Sequence, residues 1–219
     1  MTMKEAIKAR HSVRQYKDEP IRAETAAELN RFIAESNGES GLHTQLILDD
    51  PACFRTLLAH YGKFRNANNY IALVGSKSLP DLEERSGYYG QKLVLAAQTM
   101  GLNTCWVGGT FGRRKCKAVL DPGEKLVCVI AIGYGVNNGT ERRSKKLEEL
   151  CPVPAAEMPA WFRDGVEAAM LAPTALNQQK FSISLKDGKA VITAGKGVMT
   201  KIDLGIVKCN FEIGSGERL

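Results

Sequence analysis

The sequence predicts a fold that combines helices and strands, of the α+β or α/β class. Segments with apolar residues at helical spacing alternate with short apolar and β-branched runs of strand length. With 44% hydrophobic and 25% charged residues among 219, the composition is that of an ordinary globular protein. Disordered, collagen-like and coiled-coil chains are excluded. Alternation of this kind is typical of helices packed on a sheet.

Local patterns predict the elements of the first 134 residues. Apolar residues at helical spacing identify the early helices, and Gly101 stands where the helix of 87–100 should end. Proline in Asp18-Glu-Pro and Asp121-Pro-Gly-Glu indicates turns. We expect helices at 3–10, 23–36, 50–60, 87–100 and 112–119, and strands at 44–50, 70–75, 104–109 and 125–134.

The remaining residues contain a boundary and a hairpin. A charged connector at 141–150 is followed by closely spaced prolines, which mark the best candidate boundary. A helix is predicted at 160–171. Asp187-Gly188 between two alternating runs predicts a hairpin over 181–194, and a last helix is expected near 200–213.

The excess positive charge is concentrated in one stretch. The net charge is +6, and residues 113–146 hold nine Lys and Arg against three acidic residues. Nucleic acid, a phosphorylated cofactor or solvent could face such a stretch. No helix-turn-helix, RNA-recognition or zinc signature surrounds it, so we expect no nucleic-acid partner.

Targeting and redox features point to the cytosol. No apolar run approaches the roughly 18 residues of a membrane helix, and the N-terminus reads as an amphipathic helix without a signal-peptide core. The six cysteines form no C-x-x-C pair, and no two are closer than eleven residues. We therefore expect reduced cysteines, no metal site and no membrane contact.

The segment Arg10-His11-Ser12-Val13-Arg14 is the sharpest candidate for ligand binding. Two guanidinium groups and a hydroxyl can converge on one phosphate if the chain becomes extended at Ser12. The alternative interpretation is a solvated helix end, where cations are favoured by the helix dipole.

Two further segments carry groups suited to a planar heterocycle. Ala172-Pro173-Thr174-Ala-Leu-Asn177-Gln178-Gln179 offers amide donors and acceptors, although a polar capping loop would look the same. Trp106-Val-Gly108-Gly109 ends a strand with glycines that allow close approach of a ring, or simply a tight turn. The run 142–146 could bind a phosphate or face solvent.

Together these segments resemble the nitroreductase family of FMN-dependent oxidoreductases over nearly the entire chain. The matching features are Arg10-x-Ser12-x-Arg14, the loop of 172–179, the helix and Thr-Cys-Trp-x-Gly strand of 87–109, and the strand end and basic segment of 130–150. The resemblance implies an α+β fold with a mixed, mostly antiparallel sheet packed against helices.

The chain departs from ordinary members in the position of one loop. They carry the Ala-Pro-Ser loop near residue 40, whereas here it begins at Ala172. This resembles a subgroup of putative nitroreductases, so named, with a shortened second copy in the same chain. We expect a flavin-binding unit at 1–150 and the shortened copy at 151–219, packed as one globule. We expect either a monomer, as such an internal pseudo-dimer, or a homodimer.

The resemblance also implies roles for individual residues. Arg10 and Ser12, with Arg143 or Lys145, would hold the FMN phosphate, and Arg14 would lie beside the N1 and O2 side of the ring. Asn177 and Gln179 would contact the ring edge, and an amide of Gly108 or Gly109 would face N5. The expected cofactor-binding set is Arg10, His11, Ser12, Arg14, Trp106, Gly108, Gly109, Arg143, Lys145, Pro173, Thr174, Asn177 and Gln179.

The implied activity is ping-pong hydride transfer from NAD(P)H to a nitroaromatic, quinone or similar small acceptor. No nucleophile motif is present, which agrees with chemistry carried by the cofactor. Three alternatives stay open: a dimethylbenzimidazole-forming enzyme, a dehalogenating enzyme, and a flavin- or anion-binding protein without turnover.

Overall fold

The computed structural model describes residues 1–219, apart from the side chain of Leu58. Helices and antiparallel strands confirm the α+β expectation. The chain forms two compact units, which we call the helical unit (residues 1–9, 83–92 and 142–219) and the sheet unit (residues 10–82 and 93–141). The sequence predicts a division at residue 150 between a flavin-binding unit and its shortened copy. The two compact units do not test that division, which stays a prediction.

The bounds of the elements agree with most of the expected ones. The helices are α1 (Met3–Ala9), α2 (Ala23–Ser40), α3 (Leu57–Tyr61), α4 (Leu82–Thr99), α5 (Leu147–Leu150), α6 (Ala160–Met170) and α7 (Thr200–Ser215). The strands are β1 (Gln45–Ile47), β2 (Asn69–Ser76), β3 (Asn103–Val107), β4 (Glu124–Gly133), β5 (Phe181–Lys186) and β6 (Lys189–Ala194).

The sheet unit is built on four antiparallel strands in the order β1–β2–β4–β3. The two central strands are almost entirely buried, which explains why their sequences are continuous apolar runs rather than alternating ones. β3 lies at the edge, with Trp106 opposite Ile130. Residues 10–14, which we call the arginine segment, run along this edge.

The helix expected at 50–60 is wrong as a single element. The chain makes a 3-10 turn at Ala52–Phe54 and only then forms α3. The carbonyl of Cys53 accepts from the amide of Gly112, so it does not serve a helix. Thr56 is extended, and its hydroxyl accepts from the amide of Ala59, which starts α3 afresh.

The basic helix expected at 112–119 is also wrong. Only Arg113–Lys115 form a 3-10 turn, and the following residues become extended. The amide of Lys117 donates to the Tyr70 hydroxyl (2.9 Å), and the amide of Val119 donates to the Gln45 side chain (2.9 Å). These side chains take the hydrogen bonds that a helix would have used.

The helical unit packs α6 and α7 together and adds the β5–β6 hairpin, which is confirmed as expected. Phe162 and Phe211 pack edge to face in its core, with ring centroids 5.9 Å apart. Residues 83–92 of α4 contact α7 backbone to backbone. A Cβ on Gly87 would lie 2.0 Å from the carbonyl oxygen of Ile202, and one on Gly205 would lie 1.9 Å from that of Glu84. The two helices can touch because glycine occupies both positions.

Among the described residues, no helix combines the length and apolar character that a membrane span requires.

Candidate functional site

The residues expected to bind a cofactor fall into two groups, one in each compact unit. The group in the sheet unit comprises Arg10, His11, Ser12, Arg14, Trp106, Gly108 and Gly109. The group in the helical unit comprises Arg143, Lys145, Pro173, Thr174, Asn177 and Gln179.

In the sheet unit, the arginine segment is extended along the edge strand β3. Ser12 pairs with Thr104 in a parallel bridge, and the amide of Val13 donates to the Thr104 carbonyl at 3.0 Å. This is the extended course that convergence on one anion requires. Arg10 is buried, whereas Arg14 is exposed.

Cys105 of β3 lies near the polar groups of the arginine segment, as its pKa shows. Burial raises the pKa of the Cys105 thiol, and the charge of Arg14, a hydrogen bond with Ser12 and the charge of Arg10 partly offset that rise. All three groups therefore lie in the surroundings of Cys105. Their convergence on one anion stays a prediction.

The backbone that directly follows the arginine segment, at Gln15 and Lys17, is fixed as well. The amide of Lys17 donates to the Tyr134 carbonyl (2.8 Å), and that of Val136 donates to the Gln15 carbonyl (3.0 Å). Gly139, with φ of +78°, lies against the segment, and a Cβ there would be 2.8 Å from the Cβ of His11. Sequence reasoning missed Gly139, because a glycine in an Asn-Asn-Gly turn gives no sign of what it approaches.

Gly109, which follows β3, borders open space. Trp106 is half-buried at the strand end, and Gly109 is exposed. No heavy atom of the described residues lies within 4 Å of the position that a Cβ of Gly109 would occupy. A planar group can therefore approach the backbone there.

In the helical unit, side-chain amides fasten the loop of 172–179 to the basic segment. Asn177 Nδ2 and Gln179 Nε2 donate to the Arg143 carbonyl at 2.9 and 3.0 Å. Gln179 Oε1 accepts from the Lys145 amide at 2.9 Å, and Lys145 Nζ donates to the Gln179 carbonyl at 3.2 Å. Gln179 is only 3% exposed, so its side chain holds the loop in place.

The loop has a strained backbone and an exposed apolar tip. Leu176, Asn177 and Gln179 have φ of 54°, 52° and 45°, in the left-handed region that costs a non-glycine residue about 1 kcal/mol or more. Leu176 is 86% exposed. The hydrogen bonds described above maintain this conformation.

In the basic run 142–146, Arg142 binds the end of a helix instead of facing outward. Its guanidinium donates to the carbonyls of Met170, Leu171 (2.8 Å) and Ala172 (2.6 Å), which end α6. Burial lowers the pKa of this guanidinium. Arg143 has an exposed side chain, and Lys145 is half-buried. Arg143 is thus better placed than Arg142 to reach an external anion.

Comparison with known proteins identifies the family. A model of the family described as "Putative TM nitroreductase" matches residues 2–215. The chain belongs to this nitroreductase family. The resemblance stated from the sequence is thereby confirmed at the level of family.

Solved structures show the same fold. A "putative nitroreductase" from Thermotoga maritima has a TM-score of 0.71 at 22% identity, covering 98% of this chain and 83% of its own. A "putative nitroreductase" in complex with FMN, from Desulfovibrio desulfuricans, has a TM-score of 0.51 at 24% identity, covering 68% of this chain and 95% of its own. No curated protein matches the sequence.

Proposed function

We propose that this member of the nitroreductase family is an FMN-dependent oxidoreductase that transfers hydride from NAD(P)H to a nitroaromatic, quinone or similar acceptor. The observation that carries the proposal is the arginine segment of the sheet unit. This segment is extended along β3 through the Ser12–Thr104 bridge, with Arg10, Ser12 and Arg14 all near Cys105, in a chain whose family is shown. The FMN complex of the Desulfovibrio desulfuricans protein supports the choice of cofactor.

The donor set fits the phosphate of FMN. Arginine offers forked donors to phosphate oxygens, and serine adds a short hydroxyl donor. The backbone of residues 13–17 is already held by Thr104, Tyr134 and Val136, so little backbone entropy is lost when an anion binds. The resemblance also assigns Arg143 or Lys145 to the phosphate, and this stays a prediction.

The remaining residues of the proposed site would position the flavin and take no covalent part in the reaction. FMN, when bound, would supply the chemistry of hydride transfer between NAD(P)H and the acceptor. Arg14 would stabilise negative charge on the reduced ring by its positive charge. The open space at Gly109 would let the ring approach backbone amides. Asn177 would contact the ring edge, and Gln179 would keep the loop of 172–179 in its conformation.

We also propose that residues 151–219 are a shortened copy of the flavin-binding unit at 1–150. The register that pairs Gly90 with Gly205 also pairs Gly87 with Ile202, and these two residues are in contact. Contact between equivalent residues is expected at the axis between two symmetry-related copies. This proposal predicts a monomer, so light scattering should give a mass near 23.9 kDa. A mass of twice that value would favour the ordinary homodimer.

The first experiment is purification and spectroscopy. The protein should be yellow, release FMN on denaturation, and oxidise NADH or NADPH with menadione as acceptor. Colourless protein that takes up no added FMN would contradict the proposed cofactor. Yellow protein without turnover would instead support the interpretation as a flavin-binding protein.

A further inference from the structure

The polar side chains of the loop of 172–179 form hydrogen bonds with other groups of the protein. The Thr174 hydroxyl accepts from the Gln179 amide at 3.0 Å, and Asn177 and Gln179 are bonded to Arg143. Gln178 Nε2 donates to the Val198 carbonyl (2.6 Å) and to a carboxylate oxygen of Asp203 (2.9 Å). The side chain that the loop leaves most exposed is Leu176.

Asp203 holds the loop on both sides of that exposed residue. Its Oδ1 accepts from the Ala175 amide at 2.9 Å, and its Oδ2 accepts from Gln178 Nε2 at 2.9 Å. Asp203 is 3% exposed. Burying a carboxylate is costly unless it is well hydrogen-bonded, so its presence here calls for a reason.

The carboxylate itself has a fixed location. Asp203 lies in the first turn of α7, and its amide donates to the Met199 carbonyl at 3.0 Å. Two residues later, Gly205 contacts the backbone of α4 at Glu84. Because the helices touch through their backbones, α7 cannot shift without losing that contact. The hydrogen bonds of Asp203 therefore attach the loop of 172–179 to a helix whose own position is fixed.

We propose that Asp203 is a positioning residue for flavin binding, fixing Ala175 and Gln178 so that Leu176 and Asn177 are presented to the bound ring. The inference rests on the proposed function, because it assumes that the loop contacts FMN. Asp203 belongs to none of the motifs recognisable in the sequence.

A carboxylate suits this position because both of its partners are donors. In Asp203→Asn, the amide oxygen could still accept from Ala175, but the NH₂ group would face the NH₂ group of Gln178. Gln178 cannot simply reverse its amide, since its oxygen would then face the Val198 carbonyl. We expect Asp203→Asn to release Gln178 and Asp203→Ala to release both partners.

The test measures loop order and flavin binding separately. In protein without flavin, hydrogen exchange of the Ala175 amide should become about tenfold faster in Asp203→Ala, while exchange in the β5–β6 hairpin stays unchanged. In the loaded protein, FMN should bind about tenfold more weakly, with an altered absorbance spectrum of the bound flavin. Asp164→Asn, the same chemical change as Asp203→Asn at an exposed position of α6, serves as the matched control. Asp203→Asn replaces Asp203→Ala if the latter fails to fold.

The outcomes separate the two proposals. Wild-type protein that binds no FMN would overturn the proposed function and this inference with it. Wild-type protein that binds FMN, together with Asp203 variants that bind it equally tightly and with the same spectrum, would overturn the inference alone. Unchanged exchange at Ala175 in Asp203→Ala would do the same. In Asp203→Asn, which keeps the Ala175 hydrogen bond, the contradicting result is unchanged FMN affinity and spectrum.

Discussion

Arg142 and Arg143 are adjacent in the sequence but have different surroundings. The guanidinium of Arg142 donates to three carbonyls at the end of α6, and that of Arg143 is exposed. Removing a buried charged donor leaves carbonyls unsatisfied, at a cost of about 3 kcal/mol. We therefore expect Arg142→Ala to lower the free energy of unfolding by that amount in a urea titration.

Arg143→Ala is the matched substitution and should change stability by less than about 0.5 kcal/mol. If its side chain reaches the phosphate, FMN should bind more weakly while riboflavin binding is unchanged. Equal effects on FMN and riboflavin would remove Arg143 from the phosphate site. A stability loss in Arg143→Ala as large as that in Arg142→Ala would contradict the assignment of Arg142 to the helix end.

Gly109→Ala tests whether a ring approaches the end of β3. The new methyl group meets no protein atom of the described residues, so the free energy of unfolding should stay within about 0.5 kcal/mol of wild type. The methyl group would occupy the space that the ring requires, and FMN binding should weaken about tenfold or more. Unaltered FMN affinity would place the ring elsewhere.

Asp203 should make stability depend on pH. Burial raises its pKa in the folded protein, with the hydrogen bonds from Ala175 and Gln178 lowering it in part. The folded state then binds the proton more tightly than the unfolded state, whose pKa is about 3.8. The stability of wild type relative to Asp203→Asn should fall as pH rises from below about 3.8 through the folded pKa. Urea titrations of both proteins between pH 3.5 and 7 measure this difference, and a difference that is constant or rises would contradict it.

At this scale, sequence reasoning identifies groups that are neighbours along the chain. Arg10, Ser12 and Arg14 lie within five residues, so their common position near Cys105 could be anticipated, and their binding of an anion stays a prediction. Asp203 and Gly139 act on residues far away in the sequence, and nothing beside them signals those contacts. Gln179 was identified by its motif, but its burial against Lys145 required the structure.

The elements themselves were predictable where a single local pattern dominated. The hairpin at Asp187-Gly188 and the buried strand β4 follow directly from turn chemistry and apolar runs. The basic segment after Gly112 has helix-forming residues, yet the side chains of Tyr70 and Gln45 take its amide hydrogen bonds. Such competition depends on tertiary contacts, which local propensity does not contain.

The contact of α4 and α7 predicts opposite effects for two kinds of helical glycine. In Gly205→Ala the new Cβ would collide with the Glu84 backbone, which cannot move aside as a side chain could, so we expect a loss of about 3 kcal/mol. Gly38→Ala in α2 meets nothing within 4 Å among the described residues and should stabilise by about 0.5–1 kcal/mol. Thermal or urea unfolding of both variants measures the contrast. Similar effects of both substitutions would mean that the two helices do not touch.

For the entire molecule, ligand binding should appear as added stability. A ligand that binds only the folded state at one hundred times its Kd raises the free energy of unfolding by about 2.7 kcal/mol. FMN should produce this shift at lower concentration than riboflavin, since only FMN carries the phosphate expected at Arg10 and Ser12. Thermal unfolding with each flavin measures the difference. Equal shifts at equal concentrations would exclude a phosphate contribution.

The helical unit is assembled from three separate stretches of the chain, and this has a consequence for biosynthesis. Its three stretches are far apart in the sequence, and α1 contacts α7. On the ribosome, residues 3–9 emerge well before their partner, residues 200–215, has been made. Ala6 and Ile7, buried in the folded protein, are therefore without that partner during this interval. Nascent chains of this protein should depend on completion of the C-terminal helix, and on chaperones until then, far more than a protein whose first helix packs on its neighbour in sequence.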